Sequence, residues 1–538
     1  MKASDLFVKC LENEGVEYIF GVPGEENLDV LNSLKDSSIK IILTRNEQSA
    51  VFMAATYGRF TGKPGVAIAT LGPGATNMMT GVGYAQLNGY PTIVLTGQKP
   101  IKKSKQGDFQ VIDVVEMMKP ITKWATQIQN GARVNTTIRN AFKIAVSERP
   151  GCVHIELPED IAQEEVEDSY TPLEVHKVRR PVVEYKAVDL LVQELESAKR
   201  PMILIGAGAN RKRITTYLRE FVEKYNIPFF ESQMGKGVLD ETMSQYVGTA
   251  ALSDGDFVHK CVEKADLILS IGNDTVEKPT HFVNSGNTKT IHINFYESKQ
   301  DLVYAPYLDI VGDIGNLFYE LCQKEINSSH WNFDEIYEIA KTEFSNLYSA
   351  IGKEDVQEIM GPRRLVKETQ EVLGKEDIIA LDNGWYKIWF ARNYRVSHPN
   401  TLMLDNTFAT MGAGVPTGTM AKMLHPNKNV VVVTGDGGFV MNLGDLETAV
   451  RMNINLTIVI LNNSAYGMIK VKQKQYGFDN YSLDLPNPDF IKLAESFGAK
   501  GHYVEDKKDF KATLEHCIQE EGVSIIEVMF DYIDEKVD

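Results

Sequence analysis

The chain has 538 residues, of which 43% are hydrophobic, so it is long enough to bury the cores of roughly two to four domains. Its 56 basic and 73 acidic residues give a net charge of −17, which argues against a nucleic-acid or anionic-membrane partner, because such surfaces need clusters of basic residues. The five cysteines are scattered without metal-ligand spacing, and the sequence has neither a signal-peptide core nor an apolar span of membrane length, so we predict a cytoplasmic protein.

The first predicted domain, residues 1–163, begins with an amphipathic helix over Ala3–Glu14. Its predicted strands are the apolar runs Tyr18–Phe20, Ile39–Thr44, Gly65–Thr70, Thr92–Thr96 and Gly151–Leu157. Helical patterns separate these strands. Such alternation is typical of a parallel sheet that is covered by helices.

A charged segment that contains Pro172 and Pro181 lacks periodicity and is predicted to be a linker into the second domain, residues 186–325. The strands predicted for this domain are Pro201–Ile205, Pro228–Ser232, Leu267–Ile271 and Thr288–Asn294. Its turn Gly206-Ala207-Gly208 lacks the third glycine of a dinucleotide-binding fingerprint. We therefore interpret this turn as a strand-to-helix connection without a ligand.

A polar, helix-forming stretch over Asn327–Asp355 leads to the third domain, residues 360–538. The strands predicted there are Ile378–Leu381, Asn429–Thr434, Leu456–Leu461 and Ser524–Met529. The predicted fold class is α/β, with three doubly wound parallel-sheet domains.

Two polar residues follow neighbouring strands of the third domain. Asp436 follows the run Asn429–Thr434, Asn463 follows Leu456–Leu461, and a helix is predicted between them over Leu443–Met452. In such a β-α-β unit both residues leave the carboxyl ends of parallel strands, where open α/β sheets bind ligands. Their oxygens suit Mg²⁺, and the neighbouring glycines leave backbone amides free for a diphosphate. The sequence favours a metal-bound diphosphate here over a ligand-free loop in which these residues only form turns.

The spacing of this motif adds a resemblance. Gly435-Asp436-Gly437 and Asn462-Asn463, with residues 438–461 between them, resemble the thiamine diphosphate motif of the acetolactate synthase and 2-oxoacid decarboxylase superfamily. The resemblance implies that Asp436, Asn463 and the carbonyl of Ala465 hold Mg²⁺. The cofactor-binding residues that it implies in this region are Gly435, Asp436, Gly437, Gly438, Asn463, Ala465, Tyr466, Gly467 and Met468.

Glu47 begins a predicted helix directly after the second strand. Thiamine diphosphate chemistry needs a carboxylic acid at the pyrimidine ring of the cofactor, and burial would raise the pKa of that acid toward the working pH. The local pattern alone favours a simpler role, stabilisation of the helix N-terminus. The segment Arg45-Asn46-Glu47-Gln48, however, resembles the signature of the same superfamily, which implies that Glu47 is the catalytic residue.

Other segments match the family in chain order. The additional residues implied to line the cofactor are Pro23, Gly24, Asn77, Gly384, Tyr386 and Met411. Met411 matches an apolar wedge that bends the cofactor, although core packing is the ordinary role of such a methionine. Tyr386 stands where the family commonly has a histidine, so that contact with the diphosphate is expected to differ.

The resemblance covers essentially the whole chain and is greatest to the acetolactate synthases. Gln110 and Lys123 lie in stretches that resemble the substrate-proximal region of that family. The catalytic glutamate and the metal motif belong to different domains, and in the family these halves meet between subunits. The resemblance therefore implies a homodimer or homotetramer with its active sites at the dimer interface.

The reaction type rests on what the sequence lacks. No two of its 10 histidines are adjacent, whereas pyruvate decarboxylases carry a His pair. Lys472 stands where the biosynthetic synthases have Trp, and Asn273–Glu277 lacks the arginine of the flavin-binding synthases. The resemblance thus implies a catabolic-type acetolactate synthase that needs thiamine diphosphate and Mg²⁺ but no FAD. It would decarboxylate pyruvate and join the hydroxyethyl unit to a second pyruvate, giving 2-acetolactate and CO₂.

Three alternatives stay open at this point. The first is another thiamine diphosphate-dependent 2-oxoacid decarboxylase or carboligase. The second is a flavin-dependent pyruvate oxidase, and the third is a binding subunit without activity.

Overall fold

A computed structural model of the chain describes residues 1–102, 107–176, 178, 180–252, 255–281, 288–300, 302–349 and 359–531. The end of the predicted helical stretch, 350–355, and residues 532–538 lie outside the described residues. The described residues form three six-stranded sheets, and all paired strands within them are parallel. The predicted α/β class with three parallel-sheet domains is confirmed.

The first sheet has the strand order β2-β1-β3-β4-β6-β5. Its strands are β1 Tyr18–Val22, β2 Lys40–Leu43, β3 Gly65–Ala69, β4 Thr92–Gln98, β5 Trp124–Gln127 and β6 Cys152–Pro158. The accompanying helices are α1 Ala3–Asn13, α2 Leu28–Leu34, α3 Glu47–Thr61, α4 Gly72–Asn77, α5 Met79–Asn88, α6 Val114–Met118, α7 Val134–Val146 and α8 Glu159–Ala162. Three of the four interior strands, β3, β4 and β6, are buried along their whole length, and apolar residues dominate their sequences.

The second sheet has the order β12-β11-β10-β7-β8-β9. Its strands are β7 Pro201–Ile205, β8 Phe229–Ser232, β9 Tyr246–Ala250, β10 Leu267–Ile271, β11 Lys289–Asn294 and β12 Leu308–Val311. Its helices are α9 Tyr185–Ser197, α10 Lys212–Tyr225, α11 Phe257–Val262, α12 Ile314–Gln323 and α13 Asp334–Ser349.

The third sheet has the order β14-β13-β15-β16-β18-β17. Its strands are β13 Ile378–Leu381, β14 Leu402–Met403, β15 Val430–Gly435, β16 Leu456–Asn462, β17 Lys500–Val504 and β18 Val523–Met529. Its helices are α14 Pro362–Val372, α15 Trp385–Asn393, α16 Gly414–Leu424, α17 Asp436–Met441, α18 Asp445–Arg451, α19 Gly467–Gln475, α20 Phe490–Phe497 and α21 Phe510–Cys517.

Five strands were not predicted from the sequence: β5, β9, β12, β14 and β17. All five lie at an edge of their sheet. An edge strand has one neighbour and is short or interrupted by polar residues, so its sequence lacks the continuous apolar run that identified the central strands.

The first and third domains pack against each other through α3 and α16, where the Thr56 hydroxyl lies 3.4 Å from that of Thr417. Nearby, the backbone amide of Arg45 donates to Asp445 Oδ1 at 2.9 Å. Within the described parts of the chain, no helix combines the length and the apolar character needed to cross a membrane.

Candidate functional site

The first group of candidate residues lies at the carboxyl edge of the first sheet. Glu47 is the first residue of α3 and is only 9% exposed. Its Oε2 accepts a hydrogen bond of 3.0 Å from Nδ2 of Asn77, the last residue of α4. A Cβ added to Gly74 would stand 3.4 Å from Glu47 Oε1, so the glycine loop after β3 packs directly on this carboxylate. We refer to Glu47, Asn77 and Gly74 as the first half-site.

The turn that follows β1, at Pro23 and Gly24, borders this half-site. A Cβ on Gly24 would lie 2.6 Å from Cβ of Thr70, so only glycine fits beside the end of β3. Behind it, the buried carboxylate of Glu26 accepts hydrogen bonds from Thr70 Oγ1 and, at 2.5 Å, from the buried ammonium of Lys99. The sequence reasoning missed this ion pair, because its two members are far apart in the chain and each alone resembles an ordinary surface charge.

The two predicted substrate residues are separated. Gln110 is exposed, and its carbonyl would be 2.8 Å from a Cβ on Gly72, so it lies beside the glycine loop. Lys123 instead precedes β5 and lies at the opposite, amino edge of the sheet. Its ammonium donates to the carbonyls of Ile144 and Ser147 at 2.6 and 2.7 Å and so caps the C-terminus of α7. The structure does not place Lys123 with the other candidate residues of this chain.

The second group lies at the carboxyl edge of the third sheet. Asp436 is the first residue of α17 and is 2% exposed. Its Oδ2 accepts a hydrogen bond of 2.6 Å from Nδ2 of Asn487, which also lies 2.9 Å from Oδ1 of Asn462. Burial raises the pKa of Asp436, while the hydrogen bonds from Asn487 and from backbone amides of Gly437 and Ser464 oppose that rise. We refer to Asp436, Asn463 and Asn487 as the second half-site.

Strand register brings the two parts of the predicted metal motif together. Gly435 of β15 pairs with Leu461 of β16, so Asp436 and Asn463 leave adjacent strands within one or two residues of the same level. The loop beyond β16 is held at several points: Ser464 N donates to Asn462 Oδ1 at 3.1 Å, and Ala465 forms a bridge to Asp484. The predicted metal-ligating residues therefore share one sheet edge.

The glycines of the motif are fixed by close neighbours. A Cβ on Gly437 would meet the ring of Tyr466 at 3.0 Å, and one on Gly438 would meet Oδ2 of Asp382 at 2.8 Å. The backbone amide of Gly435 donates to the hydroxyl of Tyr386 at 3.1 Å. Tyr386 is 1% exposed and lies against Gly384, whose Cβ would stand 2.3 Å from the tyrosine ring. The hydroxyl of Tyr386, which stands where the sequence resemblance led us to expect a histidine, thus contacts the backbone of the Gly435–Gly438 turn.

Met411 lies on a loop that the buried carboxylate of Asp382 holds in place. The amide of Gly412 donates to both oxygens of Asp382, at 2.8 and 2.9 Å, and its carbonyl accepts from Asn442 at 2.7 Å. Burial raises the pKa of Asp382 to about 6, against the lowering effect of these hydrogen bonds. Met411 itself is half-buried, so the loop presents an apolar side chain from a rigid backbone.

The last predicted cofactor residues, Gly467 and Met468, begin α19, and no residue of this helix is buried. Exposed apolar side chains also occur in the two domains that carry the half-sites. Leu28 and Leu43, in the first domain, are 61% and 49% exposed, and Val440 and Met441, beside Asp436, are 42% and 49% exposed. Apolar surface of this kind beside a polar site is typical of an interface.

The second half-site fits a magnesium-bound diphosphate. Asp436 supplies a buried carboxylate and Asn463 a carboxamide, and hard oxygen ligands of this type are those that Mg²⁺ prefers. A side chain at Gly437 or Gly438 would clash with Tyr466 or Asp382, so glycine lets the backbone of this turn pack closely beside the metal motif. The hydrogen bonds of the Glu47 carboxylate and of the Asp436 carboxylate come from different domains, so the chain carries two separate groups of candidate residues.

Three family models match the chain in the order of its sheets. They are described as the N-terminal TPP binding domain, the central domain and the C-terminal TPP binding domain of thiamine pyrophosphate enzymes, and they match residues 1–117, 188–321 and 382–528. The first half-site falls in the first match and the second half-site in the third.

Curated relatives match over nearly the full length. An acetolactate synthase of Bacillus subtilis is 30% identical over 99% of this chain and 94% of that protein. A probable acetolactate synthase large subunit of Methanocaldococcus jannaschii is 32% identical over 99% of this chain and 92% of that protein. A catabolic acetolactate synthase of Raoultella terrigena is 30% identical over 99% of this chain and 95% of that protein.

Proposed function

The chain belongs to the acetolactate synthase family of thiamine pyrophosphate enzymes, and on that basis we propose that it converts two pyruvates to 2-acetolactate and CO₂. The observation that supports this most directly is the pair of half-sites, each a buried carboxylate held by an asparagine amide. The family predicted from the sequence is confirmed, and with it the use of thiamine diphosphate.

In this proposal the second half-site anchors the cofactor. Asp436, Asn463 and the carbonyl of Ala465 would hold Mg²⁺, and the ion would neutralise the charge of the diphosphate. The backbone of residues 435–438 would bind the diphosphate, and the Asn487 amide orients the Asp436 carboxylate by a hydrogen bond. Met411, Tyr466 and Met468 would contact the rings of the cofactor.

The first half-site activates the cofactor. Bound thiamine diphosphate supplies a carbon nucleophile that attacks the carbonyl of a 2-oxoacid. Glu47 holds a proton at a ring nitrogen of the pyrimidine, and its burial against Gly74 keeps water from competing for that proton. Asn77 fixes the orientation of the Glu47 carboxylate, while Pro23 and Gly24 border the pyrimidine.

We further propose that the protein is a homodimer or a homotetramer of such dimers, in which the first half-site of one chain faces the second half-site of another. The two half-sites draw on separate domains, and exposed apolar side chains accompany each of them. Gln110, on the exposed loop beside Gly72, would contact the 2-oxoacid substrate from the same face.

We place the domain boundaries at residues 1–163, 186–325 and 360–538, which enclose the three sheets. FAD is not part of the proposal: the amide of Gly208 donates to the carbonyl of Gly272 at 2.8 Å, so the turn that resembles a nucleotide loop is engaged within the chain. The five buried free cysteines support a reducing, cytoplasmic location.

Product analysis tests the proposal. Purified protein is incubated with pyruvate, thiamine diphosphate and Mg²⁺, and the products are measured before and after acidification. We expect acetoin only after acidification, because 2-acetolactate loses CO₂ in acid. Acetaldehyde would indicate a decarboxylase, a bound flavin that pyruvate reduces would indicate an oxidase, and no product from pyruvate would refute the proposed substrate.

A further inference from the structure

The third domain carries another group of metal-ligand side chains, away from the two half-sites. His502 lies in the edge strand β17, Cys517 is the last residue of α21, and Glu520 follows in the turn before β18. One ligand atom from each of these three side chains lies within 4.8 Å of the other two. His502 Nε2 is 2.9 Å from Oε2 of Glu520. Among the described residues, no other group of three or more potential metal ligands comes this close together.

A second histidine lies within reach of the same cluster. His516 Nε2 is 3.4 Å from Oε1 of Glu520, and its ring centroid lies 5.8 Å from that of His502. Cys517 is 2% exposed, whereas the side chain of His516 is 65% exposed. The cluster therefore has a buried thiol at its base and opens to solvent on the histidine side, which gives an ion a path of entry.

The chemistry of these ligands selects the metal. A thiol, two imidazoles and a carboxylate form a donor set typical of Zn²⁺, whereas Mg²⁺ prefers oxygen ligands alone. Tetrahedral zinc sites with Zn–S near 2.3 Å and Zn–N near 2.0 Å place ligand atoms roughly 3.3–3.8 Å apart. The cluster needs side-chain movements of only about 1 Å to reach that geometry.

We propose that His502, Cys517 and Glu520 bind one Zn²⁺ per chain, with His516 or a water molecule as the fourth ligand. Ser524 Oγ donates to Glu520 Oε2 at 2.8 Å and orients the carboxylate. Lys500, whose ammonium lies 3.3 Å from Glu520 Oε1, is 48% exposed and turns to solvent when the cation binds. The ion joins the edge strand to the helix that covers it and so stabilises this edge of the third sheet.

This zinc site is separate from the proposed magnesium site. Lys500 pairs with Ser524 near the amino ends of β17 and β18, while Asp436 and Asn463 leave the carboxyl ends of β15 and β16. His502 is level with Ile526 of β18 and hence with Val459 of β16, so four residues, or roughly 13 Å of strand, separate it from the level of Asn463. Zinc binding can therefore be tested without reference to the proposed function.

Cobalt substitution tests the site. The full-length protein is freed of metal with a chelator, and Co²⁺ is added while the absorption spectrum is recorded. We expect a near-ultraviolet thiolate-to-cobalt band and strong visible bands of a tetrahedral ion, both removed by stoichiometric Zn²⁺ but not by excess Mg²⁺. Cys517→Ser should abolish the thiolate band, whereas Cys322→Ser, a buried free cysteine of the second domain, should leave it unchanged. Only weak octahedral bands, or a band that persists in Cys517→Ser, would overturn the proposal.

A second variant tests the site in case Cys517→Ser does not fold. His502→Gln changes a partly exposed side chain and should weaken Zn²⁺ binding roughly tenfold or more, measured by competition with a chromophoric chelator. Zinc should also raise the melting temperature of the wild-type protein more than that of His502→Gln. Equal zinc affinity in the two proteins contradicts the assignment.

Discussion

Glu47 and Asp436 hold equivalent places in two different sheets: each follows a parallel strand, begins a helix, and accepts a hydrogen bond from an asparagine side chain. Their surroundings differ. Glu47 lies against the glycine loop at Gly74, while the Asn487 amide that contacts Asp436 also contacts Asn462 in a group of oxygen-bearing side chains. A carboxyl beside a glycine loop can hold or release a proton, and a carboxylate among other oxygens attracts a cation. In the proposed function, the same local geometry serves proton transfer in one domain and cofactor binding in the other.

The largest effect is expected for Glu47→Gln. An amide keeps the shape of the side chain but cannot supply the proton, so turnover should fall by about a hundredfold or more while thiamine diphosphate is retained. Acetolactate formation and the cofactor content of the gel-filtered protein measure the two effects. The control is Glu167→Gln, an exposed glutamate in the segment that follows the first domain. Normal turnover in Glu47→Gln would remove Glu47 from the mechanism.

Asp436→Ala should show the opposite pattern. Loss of the buried carboxylate removes one proposed Mg²⁺ ligand, so the apparent affinity for thiamine diphosphate should weaken roughly tenfold to a hundredfold. Turnover at saturating cofactor should recover much more than in Glu47→Gln. Titration of the apoprotein with thiamine diphosphate, followed by protein fluorescence at several Mg²⁺ concentrations, measures the affinity. If the variant binds cofactor and Mg²⁺ as tightly as the wild type, the proposed metal ligand is wrong.

The two asparagines provide a matched pair. Asn77→Ala and Asn487→Ala each remove one amide donor to a carboxylate, a change worth about 1.5–3 kcal/mol for a charged acceptor, or roughly tenfold to a hundredfold in the affected step. We expect Asn77→Ala to lower turnover and shift its pH profile, and Asn487→Ala to weaken Mg²⁺-dependent cofactor retention. If both variants are assayed under the same conditions, the effects of the two asparagines on turnover and on cofactor retention can be compared directly. If both variants affected the same step, the proposed separation of proton transfer at the first half-site from cofactor binding at the second would be wrong.

The sequence predicted the central strands and the motif residues because both are local signals. An apolar run followed by Gly-Asp-Gly can be recognised within about ten consecutive residues. The three predicted metal-ligating residues do lie at one sheet edge. Edge strands such as β17, Lys500–Val504, were missed, since lysine, glycine and histidine interrupt the run.

Residues that act through distant contacts were also missed. Asn487 contacts Asp436 across 51 positions of the chain, and the Lys99–Glu26 pair spans 73. His502 meets Cys517 and Glu520 only because β17 packs beside the end of α21, so a search for ligand spacing along the chain does not find the cluster. For Lys123 the sequence resemblance and the structure differ. The resemblance of its segment to the family predicted a position near the substrate, whereas in the structure Lys123 precedes β5 and lies at the amino edge of the sheet.

The smallest expected effect concerns Tyr386, the departure from the family pattern. Its hydroxyl accepts the hydrogen bond of the Gly435 amide, so Tyr386→Phe removes one contact worth about 1 kcal/mol and should weaken thiamine diphosphate binding about fivefold. Turnover at saturating cofactor should stay near the wild-type value, because Glu47 and Asn77 are unaffected. Tyr394→Phe, a buried tyrosine directly after the same helix, is the control. Tighter cofactor binding in Tyr386→Phe would mean that the freed Gly435 amide binds the diphosphate better than the tyrosine supports the loop, and the role assigned to Tyr386 would be reversed.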